Sequence, residues 1–368
     1  MAALLFIDFK KAFDSVHRGK KMKILAAYSI PEELCNAIHA LYENTRARIL
    51  TPDGETDYFD LRAGVLQGDT LAPYIFVIVI DYIMRNTIGE DSEKLGFTLA
   101  KRKSRRIGPT MVTDLGFADD LALITEGMKA SQELLTRLEK EAAKVGLHLN
   151  AKKTEVMTYN QPVNIPIKTS NGEEIKVVED FKYLGSYVNK SNDEIKIRKA
   201  LAWSACHKMQ KVWRSTLKKS LKIRLFMTTV ESVLLYGSET WTLTKSMQNS
   251  LDGTYTRMLR MALGVKWTDH MTNDELYGNL PKVSTKVTER RLRLAGHCVR
   301  HPEEEASKLV LWEPTQGHVN RGRKALTYVD LLKLDTGLAN CHELRTAMTD
   351  RNVWKTFVSS ARTGVRPK

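Results

Sequence analysis

The sequence predicts an α+β first half followed by an all-helical second half, and two observations carry that reading. Up to about residue 189, short apolar runs alternate with turn signals and helical stretches. Beyond about Ser191, strand signals fade and amphipathic helical periodicity takes over. A boundary is therefore expected near 190, and a weaker one near Lys266-Trp267-Thr268, which divides the chain into 1–189, 190–265 and 266–368.

The elements follow in order. Leu4 to Ile7 is a short apolar run ending on Asp8, the pattern of a buried strand with a carboxylate at its end. Asp14-Ser15 reads as a helix N-cap before Val16 to Tyr28, which Pro31 closes, and a second helix is expected over Glu32 to Tyr42. Pro52-Asp53-Gly54 turns between strands at 46–51 and 56–61. A long helix is expected over 70–87, with Pro73 in its first turn. A basic loop at 101–106 precedes a strand over Phe117 to Ile124 that contains an Asp-Asp turn. A helix from Lys129 to Val145 stops at Gly146, and strands are expected at 147–150 and 155–158. Asn171-Gly172 marks a hairpin, and the basic last hundred residues contain a loop at 314–322.

Composition sets the class. The chain of 368 residues is 42% hydrophobic and 27% charged, enough apolar content for folded cores. The net charge of +14 points towards polyanions, nucleic acid first. The four cysteines form no CxxC pair, so free thiols in an intracellular setting, nucleus or cytoplasm, are expected. The histidines show no metal-ligand spacing. The most apolar run, Tyr74 to Ile80, is far short of a membrane span, and no membrane partner is expected.

Asp119-Asp120 lies between two apolar segments, and Asp8 ends another. Adjacent carboxylates in such surroundings are costly without a compensating cation. Clustered carboxylates are also what hard divalent ions require. A lone Asp-Asp pair is more often a solvated turn, so its companions decide. Asp8-Phe9-Lys10-Lys11-Ala12-Phe13-Asp14-Ser15-Val16 resembles motif A of the reverse transcriptases of non-LTR, LINE-type retrotransposons. Residues 64–73, Gly-Val-Leu-Gln-Gly-Asp-Thr-Leu-Ala-Pro, resemble motif B, and Phe117-Ala118-Asp119-Asp120 resembles motif C. Residues 146–154 are similar to motif D and 181–186 to motif E. All five stand in the family's order.

The resemblance implies a reverse transcriptase palm, an antiparallel sheet backed by helices, followed by an all-α thumb and a basic helical C-terminal region. It implies an RNA-directed DNA polymerase using two Mg²⁺ ions, with Mn²⁺ as the alternative, dNTP as substrate, and an RNA template with a DNA primer as partners. Asp8 and Asp119 would hold the metals, with Asp120 as accessory carboxylate and the Phe9 carbonyl as a further ligand. Phe13 would be a steric gate under the sugar, or else a core aromatic. Gln67-Gly68 would face the templating pair. Lys153 would protonate the departing pyrophosphate, with Lys152 and a plain solvated lysine as alternatives. Asp14 is assigned to capping, and Asp69 and Asp114 to structure.

Between 190 and 224, eleven basic residues face only Asp193 and Glu194, and with Trp203 and Trp213 they suit a thumb gripping duplex backbone. The alternative is a solvated face with both tryptophans in a core. Residues 234–241, Leu-Leu-Tyr-Gly-Ser-Glu-Thr-Trp, also resemble the thumb of these elements, and residues 290–300, Arg-Arg-Leu-Arg-Leu-Ala-Gly-His-Cys-Val-Arg, resemble a segment that follows it. Because motif A starts at Asp8, the expectation is a copy truncated before motif A and lacking the fingers. The competing reading is a catalytically impaired nucleic-acid-binding remnant.

Overall fold

The computed structural model describes residues 2–90, 92–102, 104, 106, 108–159, 165–188, 191–313 and 326–363. The loop expected at 314–322 lies outside the described residues, as do Lys103 and Arg105 of the basic loop and Lys190. The chain divides into two compact units, Met1–Phe181 and Lys182–Lys368.

The first unit is built on β1 (Ala2–Ile7), followed by α1 (Ala12–Ser15), α2 (Arg18–Ala27) and α3 (Glu32–Tyr42). The 46–61 hairpin is broken into β2 (Arg46–Ala47), β3 (Leu50–Thr51), β4 (Gly54–Glu55) and β5 (Phe59–Asp60), with β2 on β5 and β3 on β4. Then come α4 (Ala72–Ile88), α5 (Ser92–Leu95), β6 (Phe97–Ala100), β7 (Thr110–Val112), β8 (Asp114–Phe117), β9 (Asp120–Thr125), α6 (Met128–Lys144), β10 (Glu155–Tyr159) and β11 (Lys176–Val177).

The main sheet has the order β11-β10-β1-β9-β8, antiparallel except at β10–β11. β1 lies at its centre, with Leu5, Phe6 and Ile7 all buried. Each such side chain contributes about 1.5–3 kcal/mol, enough together to hold a carboxylate at the strand's end. α6 covers one face of β1 and β9 and packs on α4. Elsewhere in the sheet, Phe6 stacks on Phe181 at 3.8 Å. The Asp-Asp pair is split: β8 ends at Phe117, Ala118 and Asp119 form the turn, and Asp120 opens β9.

Asp14-Ser15 does not cap the first long helix, as the sequence suggested. It lies in the separate turn α1, and the cap of α2 is His17, whose Nδ1 accepts from the Lys20 amide at 3.3 Å. An imidazole nitrogen serves the role usually filled by a short oxygen side chain.

The second unit opens with β12 (Lys182–Tyr183) and β13 (Ser186–Tyr187), an antiparallel pair whose turn residues Leu184 and Gly185 both have positive φ, as a type I′ turn requires. The helices are α7 (Ser191–Lys208), α8 (Gln210–Trp213), α9 (Lys219–Phe226), α10 (Ser232–Leu234), α11 (Lys245–Leu263), α12 (Asn273–Tyr277), α13 (Val283–Arg300), α14 (Glu305–Val310), α15 (Tyr328–Thr336), α16 (Cys341–Thr349) and α17 (Arg351–Thr363). One core runs from Ile195 to Val287 and a second from Leu292 to Trp354. The handover thus falls inside α13, because one helix serves both cores with successive turns. Among the described residues no helix is long and apolar enough to cross a membrane.

Candidate active site

The last β1–β9 pair is Ile7 with Leu121, so the next residue along β1, Asp8, lies beside Asp120 at the start of β9. Antiparallel pairing brings together the end of one strand and the beginning of its neighbour. Residues 112 positions apart therefore meet because both flank a buried apolar pair. The two-residue turn adds Asp119, with Ala118 held at φ +55°, a left-handed conformation costly for any residue with a Cβ.

On its other side, Asp8 is fixed by the segment after α6. The Asn150 amide donates to the Asp8 carbonyl at 2.8 Å, and the Lys10 amide donates to the His148 carbonyl at 2.8 Å. This pairing opposes Phe9 to Leu149 and leaves the Phe9 carbonyl out of it. The Asn150 side-chain amide donates to Asp8 Oδ2 at 2.9 Å, and the Asp8 amide donates to the buried Thr154 hydroxyl at 3.3 Å. Lys153 Nζ lies 4.0 Å from Asp8 Oδ1 on a largely exposed side chain. Such a loose pair contributes at most about 1 kcal/mol, which leaves the amine free to serve another group. Asn150 and Thr154 both lie in the segment similar to motif D, yet nothing in the sequence marks them as site residues. Only the fold shows that this segment pairs with residues 8–10.

Asp120 titrates above the ordinary carboxylate range. Partial desolvation is the main cause, and the negative charges of Asp119 and Asp8 add to it. Asp120 thus feels both neighbouring charges, and the three carboxylates together are a donor set that suits a hard cation. They are not drawn into one tight cluster. Among the described residues only His301, Glu303 and Glu304 bring three such atoms within 4.8 Å of one another. That surface group pairs internally, His301 Nδ1 lying 3.0 Å from Glu303.

The other expected residues flank this corner. Phe13 is half-buried, its ring stacked on Phe76 at 4.3 Å, so one face belongs to the core. Gln67 and Gly68 are exposed in the loop before α4, Gly68 at φ +91°. That loop is bolted to α1: the Val65 amide donates to the Phe13 carbonyl at 2.7 Å, and that of Gly64 to Val16 at 2.8 Å. Asp69 accepts from the Leu71 amide at 3.1 Å at the start of α4, and Asp114 accepts from the Thr113 hydroxyl at 2.8 Å.

A family model described as reverse transcriptase (RNA-dependent DNA polymerase) matches residues 2–188. The chain belongs to the reverse transcriptase family. Members of this family work on nucleic acid with divalent metal ions. A transposon-derived protein of Caenorhabditis elegans is 27% identical over 62% of this chain and 86% of its own length. The Pol polyprotein of the retrotransposable element R2 of Nasonia vitripennis is 27% identical over 50% of this chain and 18% of its own. The RNA-directed DNA polymerase of the mobile element jockey of Drosophila funebris is 23% identical over 84% of this chain and 33% of its own. The chain thus spans about a fifth to a third of the length of those two retrotransposon relatives. A telomerase structure from Candida albicans aligns over 87% of this chain with a TM-score of 0.38 and 12% identity.

In the second unit the segments at 234–241 and 290–300 meet. Tyr236 donates to the Leu184 carbonyl at 2.8 Å, and Arg290 donates to that of Leu235 at 2.7 Å. Arg291 is buried, paired with Asp335 and donating to the Trp241 carbonyl at 3.2 Å. Trp213 is buried with its indole donating to the Cys206 carbonyl, and Trp203 is half-buried against the same core with its ring stacked on His207.

Proposed function

We propose that the first unit is the catalytic palm of a non-LTR retrotransposon reverse transcriptase, which extends a DNA primer on an RNA template from dNTPs. The observation that carries this is the position of Asp8, Asp119 and Asp120 at one end of β1 and β9, where the charges of Asp119 and Asp8 both act on Asp120. When bound there, two divalent ions, Mg²⁺ or Mn²⁺, supply charge neutralisation and a more acidic primer hydroxyl. Asp8 and Asp119 would hold them, with Asp120 and the Phe9 carbonyl beside them. The Asn150 amide holds Asp8 Oδ2 and so fixes the carboxylate's orientation, which leaves lone pairs available to a cation. The primer 3′-hydroxyl would lose its proton to solvent as its oxygen forms the bond to the α-phosphorus, the bond to pyrophosphate would break, and Lys153 would supply the proton that the leaving group takes up. Phe13 would lie under the sugar and Gln67-Gly68 against the templating pair.

The test is primer extension on an RNA template with Mg²⁺ or Mn²⁺, comparing the wild-type chain with Asp119→Ala. Extension by the wild type alone is expected. Extension that survives the substitution overturns the assignment, and absent extension with tight, salt-sensitive RNA binding identifies a binding remnant.

A further inference from the structure

Two arginines of the 290–300 segment face a groove. Arg290 and Arg291 are spent on backbone carbonyls and Asp335. Arg293 and Arg300 instead line a groove of about 600 Å³ between α13 and α17, with Glu289 on the same helix and Arg351, Lys355 and Arg362 opposite. The spacing is the same on both helices: 289, 293 and 300 on one, 351, 355 and 362 on the other. Steps of four and seven keep each set on one face. Each stripe runs about 16 Å along its helix.

The closeness of the two helices has a specific cause. A Cβ on Gly296 would lie 2.3 Å from the Trp354 ring, so only glycine lets that indole settle on α13. There it donates to the Leu292 carbonyl at 2.7 Å. Bringing the helices together sets five cations along one groove against a single carboxylate. Glu289 is already held by Arg293 at 2.6 Å. Arg300 donates to the Met348 carbonyl, while Arg351, Lys355 and Arg362 pair with no carboxylate among the described residues. Like charges so arranged repel one another, and a ligand carrying regularly spaced anions relieves that cost.

We infer that the α13–α17 groove binds the phosphate backbone of a nucleic-acid strand. The choice of nucleic acid over other polyanions rests on the polymerase reading, whereas the groove itself does not. The test is fluorescence anisotropy of the full chain with a labelled single-stranded RNA and a DNA of the same sequence, across a salt series. The variant is the triple substitution Arg351→Gln, Lys355→Gln, Arg362→Gln. A second triple variant, Lys20→Gln, Lys23→Gln, Lys140→Gln, removes equal charge from exposed positions elsewhere. Three lost phosphate contacts should flatten the slope of log K against log salt by about 2, weakening binding about 100-fold at 0.1 M salt relative to 1 M. The control should keep its slope.

Equal losses in both variants, an unchanged slope, or displacement of the RNA by polyglutamate at matched charge would overturn the proposal. If the triple variant loses helical content, Lys355→Gln and Arg362→Gln alone should each give about a third of the slope change. A groove variant that loses binding while no form of the chain extends a primer would sustain the groove and sink the polymerase reading.

Discussion

Replacing Gly146 by alanine tests how the end of α6 sets the site. Gly146 has φ +89°, and a Cβ there would lie 2.5 Å from the Ser15 carbonyl oxygen and 3.3 Å from the His17 nitrogen. Both obstacles are backbone, and the His17 amide is held by the Val145 carbonyl at 2.8 Å, so no side chain can swing aside. The left-handed conformation costs a non-glycine residue about 1–2 kcal/mol. Overpacking against fixed backbone adds about 1–3 kcal/mol. Gly172 supplies the comparison, with nearly the same φ, +82°, and nothing within 4 Å of its Cβ position. Gly172→Ala should show only the first cost, and the difference between the two variants isolates the contact. Hydrogen exchange of β1 and β9 peptides reads it, because about 1.4 kcal/mol is a tenfold change in the open population. Gly146→Ala should raise exchange in those strands roughly 5- to 150-fold beyond Gly172→Ala. All six tryptophans lie beyond residue 181, so tryptophan fluorescence monitors only the second unit and should not respond. Equal effects of the two substitutions would refute the contact argument.

Three further substitutions probe the same unit. Asn150→Ala removes the donor to Asp8 Oδ2, a charge-assisted bond of about 1.5–3 kcal/mol; single-nucleotide extension should slow at least tenfold, and an unchanged rate would show that Asp8 needs no orienting partner. Lys21 is buried, its ammonium 3.1 Å from the Tyr42 ring centre, and burial followed by the charge of Arg18 lowers its pKa from 10.5 to about 8. The unfolded chain then holds more protons between pH 8 and 10.5, so stability should rise with pH across that window by on the order of 3 kcal/mol, with the full penalty present at pH 7. In Lys21→Met that rise in urea midpoint should vanish, and a rise that persists would place its origin elsewhere. Phe13→Val should lower discrimination of dNTP from rNTP by at least about tenfold if the ring gates the sugar; a variant that loses stability but keeps its selectivity would mark Phe13 as a core aromatic alone.

The sequence made local order legible. The helix expected at 32–42 has those bounds, α4 and α6 fall within two residues of expectation, and the turn expected at Asn171-Gly172 is a loop over 170–172 with its glycine at positive φ. These features depend on side-chain period and turn chemistry within a few residues. What was not legible depends on distant partners. The 46–51 strand pattern is interrupted at Arg48 and Ile49, which lie between two short ladders and cross the hairpin by an ion pair to Glu55 and by hydrogen bonds with Thr56. Trp203 and Trp213 sit among basic residues in the chain, yet their burial is decided by α9 and α11. The α13–α17 groove arises from a glycine and a tryptophan 58 positions apart, and neither announces the other.

The same reasoning relocates the mechanical centre of the candidate site. Asp119 and Asp120 carry the recognisable chemistry, but they rest on a short exposed turn. The close approaches converge on the motif A backbone at Asp14 and Ser15. A Cβ on Gly64 would lie 2.8 Å from the Asp14 Cα, and one on Gly146 meets Ser15. The loop before α4 and the segment after α6 thus press on adjacent peptide units from two directions. The Ser15 hydroxyl locks those units by donating to the carbonyls of Lys10 and Lys11 at 3.0 and 2.9 Å. Gly64 leads to Gln67-Gly68, and Gly146 leads to Asn150 and Lys153. A displacement at residues 14–15 would therefore move the expected template-facing loop and the Asp8-orienting amide together. The carboxylates are the candidate chemistry, while two glycines without functional groups fix where residues 67–68 and 150–153 stand relative to Asp8.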